Sequence, residues 1–204
     1  LAASSFSFCL SSVAAAVAVG VAGAAVGAAV LAGAGGNKSR AAASVGTDRK
    51  RLREKELKAL VDALRSATGV DIIGPKDTVD TAEGPECELI IINNVIEGMM
   101  VDGRPFPTIR GLLKHKATKS FVSVDMGAVP YVTNGADVMA PGIVEVDPGI
   151  KEGDLVWIRD ATHKRPLAIG KALASAEVMS AKAPGKVIKN LHFVGDKIWK
   201  YDER

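Results

Sequence analysis

Between residues 48 and 68 the apolar side chains fall at helical spacing. Leu57, Leu60, Val61 and Leu64 form one stripe, and Arg51, Lys55, Lys58 and Arg65 lie mostly off it. Asp48 can cap this helix, and Gly69 supplies a stop after Thr68. The pattern then shortens to strand length. Residues 70–73 read as one strand and residues 88–93 as another, the second rich in β-branched side chains through Ile90, Ile91 and Ile92. Asn93-Asn94 is a turn signal. Val95–Val101 is the returning strand, with Gly98 as a bulge position, and Asp102-Gly103 is a second turn. Pro107 suits the first turn of a helix over residues 108–116. Residues 48–117 thus predict a compact α+β domain, small enough to need packing on its neighbour.

From Ser120 onward the pattern is mostly β. Residues 121–124, 143–146, 155–159, 167–174 and 198–201 are short apolar or alternating runs bounded by Gly, Pro and Asp. Such runs with frequent turns predict a small barrel over residues 118–204. Residues 177–187 read as a loop between two strands, and no internal repeat is visible.

Residues 1–36 are a different material. From Val13 to Ala34 there is no charge, only Ala, Val, Gly and one Leu, a run long enough to cross a bilayer. Lys38, Arg40, Arg49, Lys50, Arg51 and Arg53 follow, and Gly23 and Gly27 have the spacing of packed membrane helices. Ala and Gly are barely hydrophobic, and no basic segment precedes the run. The reading favoured is a low-complexity extension, with residues 37–47 as a linker and the protein in the cytoplasm. Net charge is +3, and every charged residue lies after Asn37, which permits a nucleic-acid partner without demanding one. Cys9 and Cys87 form no pair motif, which argues against a disulfide framework or a zinc site.

Residues 124–146 carry the densest signal. A strand ends at Val124, Gly127-Ala128 opens a short helical stretch, and Gly135-Ala136 closes it. Ala140-Pro141-Gly142 then turns the chain into the next strand. Small residues placed this way let something large approach the backbone. The pattern resembles the PUA domain, a small RNA-binding β-barrel. The resemblance continues at Gly153-Asp154-Leu155-Val156-Trp157-Ile158, at Pro166-Leu167-Ala168-Ile169-Gly170, and at His192-Phe193-Val194-Gly195-Asp196-Lys197-Ile198-Trp199. Four blocks in order make it specific. Ahead of them, Pro105-Phe106-Pro107-Thr108-Ile109-Arg110-Gly111-Leu112-Leu113 resembles the segment joining the two domains of the malignant-T-cell-amplified-sequence translation proteins, most nearly their stand-alone archaeal form. The resemblance covers about residues 48–204.

That resemblance implies an α+β N-terminal domain followed by a small, mainly-β PUA-type pseudobarrel. It implies a non-enzymatic RNA-binding protein, a translation factor that contacts the small ribosomal subunit or initiator transfer RNA. Structured RNA, the small subunit and a second translation factor are the implied partners. The alternative is an RNA-targeting accessory protein in rRNA maturation or in modification of transfer or ribosomal RNA.

Carried over residue by residue, the RNA-facing segment is Gly127, Ala128, Tyr131, Asn134, Gly135, Ala136, Asp137, Val138 and Met139. Backbone N–H groups at a glycine-rich turn can reach phosphates, and an RNA minor groove is wide and shallow enough for a small-residue surface. Tyr131 can stack on a base or pack half-buried. Gly127 and Gly135 can equally be turn residues, and Val138 and Met139 core. Basic residues add affinity through phosphates. Lys114, His115, Lys116 and Lys119 form one cluster. Lys164 and Arg165 sit in a turn, Lys171 on a strand, and Lys186, Lys189 and Lys197 late in the chain. Each can also be a solvated surface charge.

The three histidines are scattered, with His192 in a structural role. Trp157 and Trp199 read as barrel core, and Asp154 and Asp196 as turn residues. Cys87 has no base or orienting partner in its motif. Metal-ligand spacing, a nucleophile elbow and a P-loop are all missing, so the sequence points to no cofactor.

Overall fold

The computed structural model of the protein describes residues 49–201. The expectations for the apolar run, the linker, Cys9 and the Asp48 cap lie outside the described residues. Two sheets make up the structure. The first is antiparallel, in the order β1 (Lys50–Arg51), β2 (Val79–Glu83), β3 (Glu88–Ile92), β4 (Val95–Val101) and β5 (Arg104–Pro107). Side chains alternate across β3, as a pleated strand requires. Ile90 and Ile92 face helix α1 (Glu54–Thr68) and its Leu60 and Leu64. Leu89 and Ile91 point the other way, into a cluster with Ile109 and Leu112 of helix α2 (Ile109–His115).

Helix α1 stops where its sequence dictates. Gly69 takes the left-handed conformation at φ +76°, and its N–H donates to the Arg65 carbonyl at 2.8 Å. The start is later than expected. Lys50 and Arg51 pair with β2 as an edge strand, Arg51 in an ion pair with Asp80, and the Arg53 N–H donates to Glu56 Oε2 at 3.0 Å where the helix begins.

Three further expectations for this region are corrected. Residues 70–73 are not a strand: they form an irregular connection whose Ile72 and Ile73 are buried against Leu60, Leu64, Ile90 and Ile92, with Asp71 paired to Arg65 at 2.5 Å on the surface. Strands β2 and β5 fall where the sequence reading places none. Pro107 ends β5 rather than opening a helix, and Thr108 caps α2 by accepting the Gly111 N–H at 3.3 Å.

The second sheet is mixed. Its strands are β6 (Phe121–Val124), β7 (Val138–Met139), β8 (Ile143–Val146), β9 (Leu155–Asp160), β10 (Pro166–Ala172) and β11 (Lys186–Phe193). They run in the order β7-β11-β10-β9-β6-β8, with β6 and β9 parallel and the other pairs antiparallel. The sheet wraps its own core, including Val122, Val124, Ile143, Val156, Ile158 and Ile188. This is the barrel expected after residue 118.

Short helices α3 (Val129–Thr133) and α4 (Ala176–Ser180) lie in its connections, and α5 (Lys197–Tyr201) follows its last strand. The expected strand at 198–201 is α5, because Asp196 Oδ1 accepts the Trp199 N–H at 2.8 Å and turns the chain into a helix. The expected loop at 177–187 is shorter: α4 takes residues up to Ser180, residues 181–185 are irregular, and β11 starts at Lys186. The tryptophans lie outside the barrel core. Trp157 and Trp199 belong to the cluster in which Phe106, Ile109 and Leu112 meet Leu155, Ile169 and Ile198, so apolar packing runs on from the first sheet into the barrel. Among the described residues, no helix is long and apolar enough to cross a membrane.

Candidate nucleic-acid interface

The parallel pair β6–β9 sets Val124 beside Asp160, so both strands end at the same rim of the barrel. Strand β11 ends there too, with Phe193 opposite Ala168. The loop after β6, the β9–β10 turn and the end of β11 therefore converge. Asp125 begins the loop: its N–H donates to the Gly142 carbonyl at 3.0 Å, and its Oδ1 accepts the Ala128 N–H at 2.7 Å. Pro130, in the first turn of α3, favours the helical φ that follows.

This loop displays apolar side chains to solvent. Tyr131 is 70% exposed, Met126 53% and Met139 51%. Of the two open readings for Met139, the structure supports the exposed one, whereas Val138 is core. Gly127 and Asn134 are exposed, and Ala128 is half-buried against Gly142. Gly135 is a packing residue as well as a turn. Its φ is +87°, and a Cβ there would stand 2.8 Å from Cε1 of the Phe193 ring.

The far side of the loop is fastened to β11. The Asn190 Nδ2 donates to the carbonyls of Val132 at 3.1 Å and Ala136 at 3.2 Å. The Asn190 N–H donates to Asp137 Oδ1 at 2.8 Å, and Lys186 Nζ sits 2.7 Å from Asp137 Oδ2. The Lys186 bond, against the opposing effect of partial burial, holds the Asp137 carboxyl below its usual range. Asp137 thus serves as an anchor whose two oxygens are engaged.

The structure scatters the basic residues that the sequence groups. Lys114 Nζ binds Glu97 Oε1 at 2.5 Å and His115 Nε2 lies 2.7 Å from Glu97 Oε2, so both face the first sheet. Lys116 ends α2 in the left-handed conformation at φ +48° and is exposed. Lys119 gives its carbonyl to Trp157 Nε1 at 2.7 Å. Its side chain reaches a cleft of about 580 Å³ that Arg104, Asp147 and Asp154 also line. That cleft is at the opposite end of β6 from the loop. Lys171 pairs with Asp102 of the first sheet at 2.7 Å. Lys164, in the β9–β10 turn, pairs with Glu145 at 2.7 Å. Arg165, in the same turn, and Lys189, on β11, are exposed and pair with no described carboxylate. Of the sequence cations, Lys164 and Arg165 stand at the rim where the loop emerges, Lys164 tied to Glu145.

Asn190 and Phe193, which hold the loop from β11, are given no role of their own by the sequence. The signal was slight: Asn is disfavoured inside strands, so its presence in β11 asks for a reason. His192 is 1% exposed with Nδ1 2.7 Å from Asp196 Oδ2, which fits its structural role. Burial, ahead of the charges of Glu86, Asp196 and Glu88, pushes the Cys87 thiol up to about 11. A thiol so far from ionisation is a poor nucleophile.

The PUA domain model matches residues 121–194. An uncharacterised protein of Methanocaldococcus jannaschii is 44% identical over 131 residues, covering 64% of this chain and 81% of its own. Translation machinery-associated protein 20 of Saccharomyces cerevisiae is 30% identical over 131 residues, covering 57% and 72%. The Malignant T-cell-amplified sequence 1 homolog of Drosophila melanogaster is 30% identical over 138 residues, covering 64% and 76%. Among solved structures, a hypothetical protein from Pyrococcus horikoshii superposes with a TM-score of 0.67 at 38% identity, over 75% of this chain and 98% of that one.

Proposed function

The chain belongs to the PUA-domain family that includes malignant T-cell-amplified sequence 1 and translation machinery-associated protein 20, and from that premise we propose that it is a non-enzymatic, cytoplasmic RNA-binding translation factor. Its target in this reading is the small ribosomal subunit or initiator transfer RNA, with a second translation factor as partner. Residues 48–117 act as an α+β domain and residues 118–204 as the RNA-binding domain.

The observation that carries the reading is the rim loop. Exposed Tyr131 stands on a backbone fastened from behind, at the rim where the β9–β10 turn carries the exposed Arg165. Bases stack on such a ring, and a guanidinium takes phosphate. The RNA face is Gly127, Ala128, Tyr131, Asn134, Gly135 and Ala136, with Arg165 and Lys189 supplying charge. Lys114, Lys171 and Asp137 support the structure instead of touching RNA.

The test is crosslinking and sequencing of RNA bound to the full chain, alongside sedimentation with ribosomal subunits. Crosslinks from the rim loop to one site on small-subunit rRNA support the proposal. Crosslinks to precursor rRNA, without subunit association, transfer the protein to RNA maturation. Absence of any enrichment removes RNA binding.

A further inference from the structure

We infer that Asn190 is a positioning residue that sets the shape of the rim loop from the strand behind it, an inference that rests on the RNA-binding reading above.

Strand β7 pairs with β11 only as far as Val138 opposite Ile188. A continued ladder would bring Ala136 opposite Asn190. The chain has instead left the sheet, and the Asn190 side chain takes over from the ladder. One amide nitrogen binds the carbonyls of Val132 and Ala136, four residues apart, and closes residues 132–136 into a loop. The backbone N–H of the same residue holds Asp137, where the loop ends.

The sheet is shaped to allow this. Opposite β7 the extra residue of β11 is Val187, and opposite β10 it is Leu191, so β11 is bulged on both sides of Asn190. Bulges re-aim side chains at sheet edges. Within the loop, the N–H groups of Asn134 and Ala136 return to the Tyr131 carbonyl and that of Gly135 to Val132. These local bonds form a turn without fixing it to the barrel. The burial of Val132 in the barrel core, the bonds from Asn190, the Asp137–Lys186 pair and the Gly135–Phe193 packing do so. Of these, only Asn190 grips both ends.

A loop held this way presents Tyr131 and Asn134 in one arrangement and loses little freedom when RNA arrives. Asn190 itself needs no contact with RNA. Removing its side chain should loosen the loop and weaken binding, while the number of phosphate contacts stays the same.

The test compares full-length wild type with Asn190→Ala by amide hydrogen exchange and by titration with bulk transfer RNA and with purified small ribosomal subunits over a range of salt. The expected result is faster exchange confined to residues 132–137, affinity lower by roughly tenfold, and an unchanged slope of affinity against salt. Arg165→Glu, which removes a cation, should instead change that slope. Unchanged exchange in Asn190→Ala overturns the inference, as does a loosened loop that binds with full affinity. If Asn190→Ala does not fold, Asn190→Ser, which keeps one donor, carries the same comparison. If wild type binds neither RNA, the RNA-binding reading falls, and the exchange data alone then decide whether Asn190 holds the loop.

Discussion

The Glu97 carboxylate receives Lys114 Nζ at 2.5 Å from inside the first sheet, where Glu97 is 1% exposed. Glu97 is the extra residue of a bulge in β4, between Ile96 opposite Ile91 and Gly98 opposite Ile90. The bulge turns its carbonyl to the Thr108 N–H at 2.9 Å and its side chain toward α2. Gly111 lies so close that a Cβ there would meet the Glu97 carbonyl at 2.2 Å.

Lys114→Glu is therefore a folding mutation. It sets a carboxylate against a buried carboxylate and removes a charge-assisted bond, and should cost on the order of 2–3 kcal/mol. Lys119→Glu, on an exposed residue of the same sequence cluster, should stay within about 0.5 kcal/mol of wild type. Urea denaturation of the two variants separates them. Equal stability would mean that the Glu97 pair contributes nothing measurable.

Gly135→Ala should destabilise by about 1–2 kcal/mol or more, because it adds left-handed strain to a clash with the Phe193 ring. Gly127→Ala meets only the tip of the Asp125 side chain and should be milder. Thermal melts of both variants check the order.

Tyr131→Ala and Arg165→Glu should weaken RNA binding by different routes. Loss of the ring should cost about 1–3 kcal/mol at any salt. Reversing Arg165 should matter most at low salt and flatten the salt dependence. Neither side chain is part of the core, so both variants should melt like wild type. Binding isotherms at several ionic strengths distinguish the two.

Acid stability should depend on Asp196. Burial pushes its carboxyl up, but the His192 bond and charge, with the Trp199 and Phe193 amides, outweigh it and hold the group below its ordinary 3.8. A folded value below the unfolded one stabilises above pH 3.8, and the benefit is lost as pH falls through the folded value. Asp102, Asp137 and Glu145 are lowered too and act in the same direction, each with its lysine bond as the largest cause. Asp196→Asn should lower the melting temperature at neutral pH and flatten its decline between about pH 5 and pH 2. An unchanged acid slope would assign the effect to other carboxylates.

How far the sequence reached is clear from individual residues. Strands β6 and β8 match their expected bounds because Ser120, Gly142 and Asp147 punctuate short apolar runs. The rim loop was legible through Gly127, Gly135 and Gly142. Strand β11 was not, since the bulges at Val187 and Leu191 break the period of two by which a strand is recognised. The Lys114–Lys119 cluster is a cluster only along the chain. Lys114 turns to a carboxylate 17 residues away, and Lys119 turns into a cleft at the other end of β6. Partnerships of that kind are made by burial, which neighbouring letters do not record.

Strand β5 is the last strand at one edge of the first sheet and carries Pro105 and Pro107. Proline has no N–H to give, so β5 can donate to β4 only from Arg104 and Phe106. Strand residues point alternately to either side, which leaves both prolines on the outer margin. A newcomer seeking to extend the sheet finds no donors at those positions. Along this edge the two prolines act as a built-in stop against strand-to-strand addition, one of the devices by which natural sheets avoid edge-to-edge pairing.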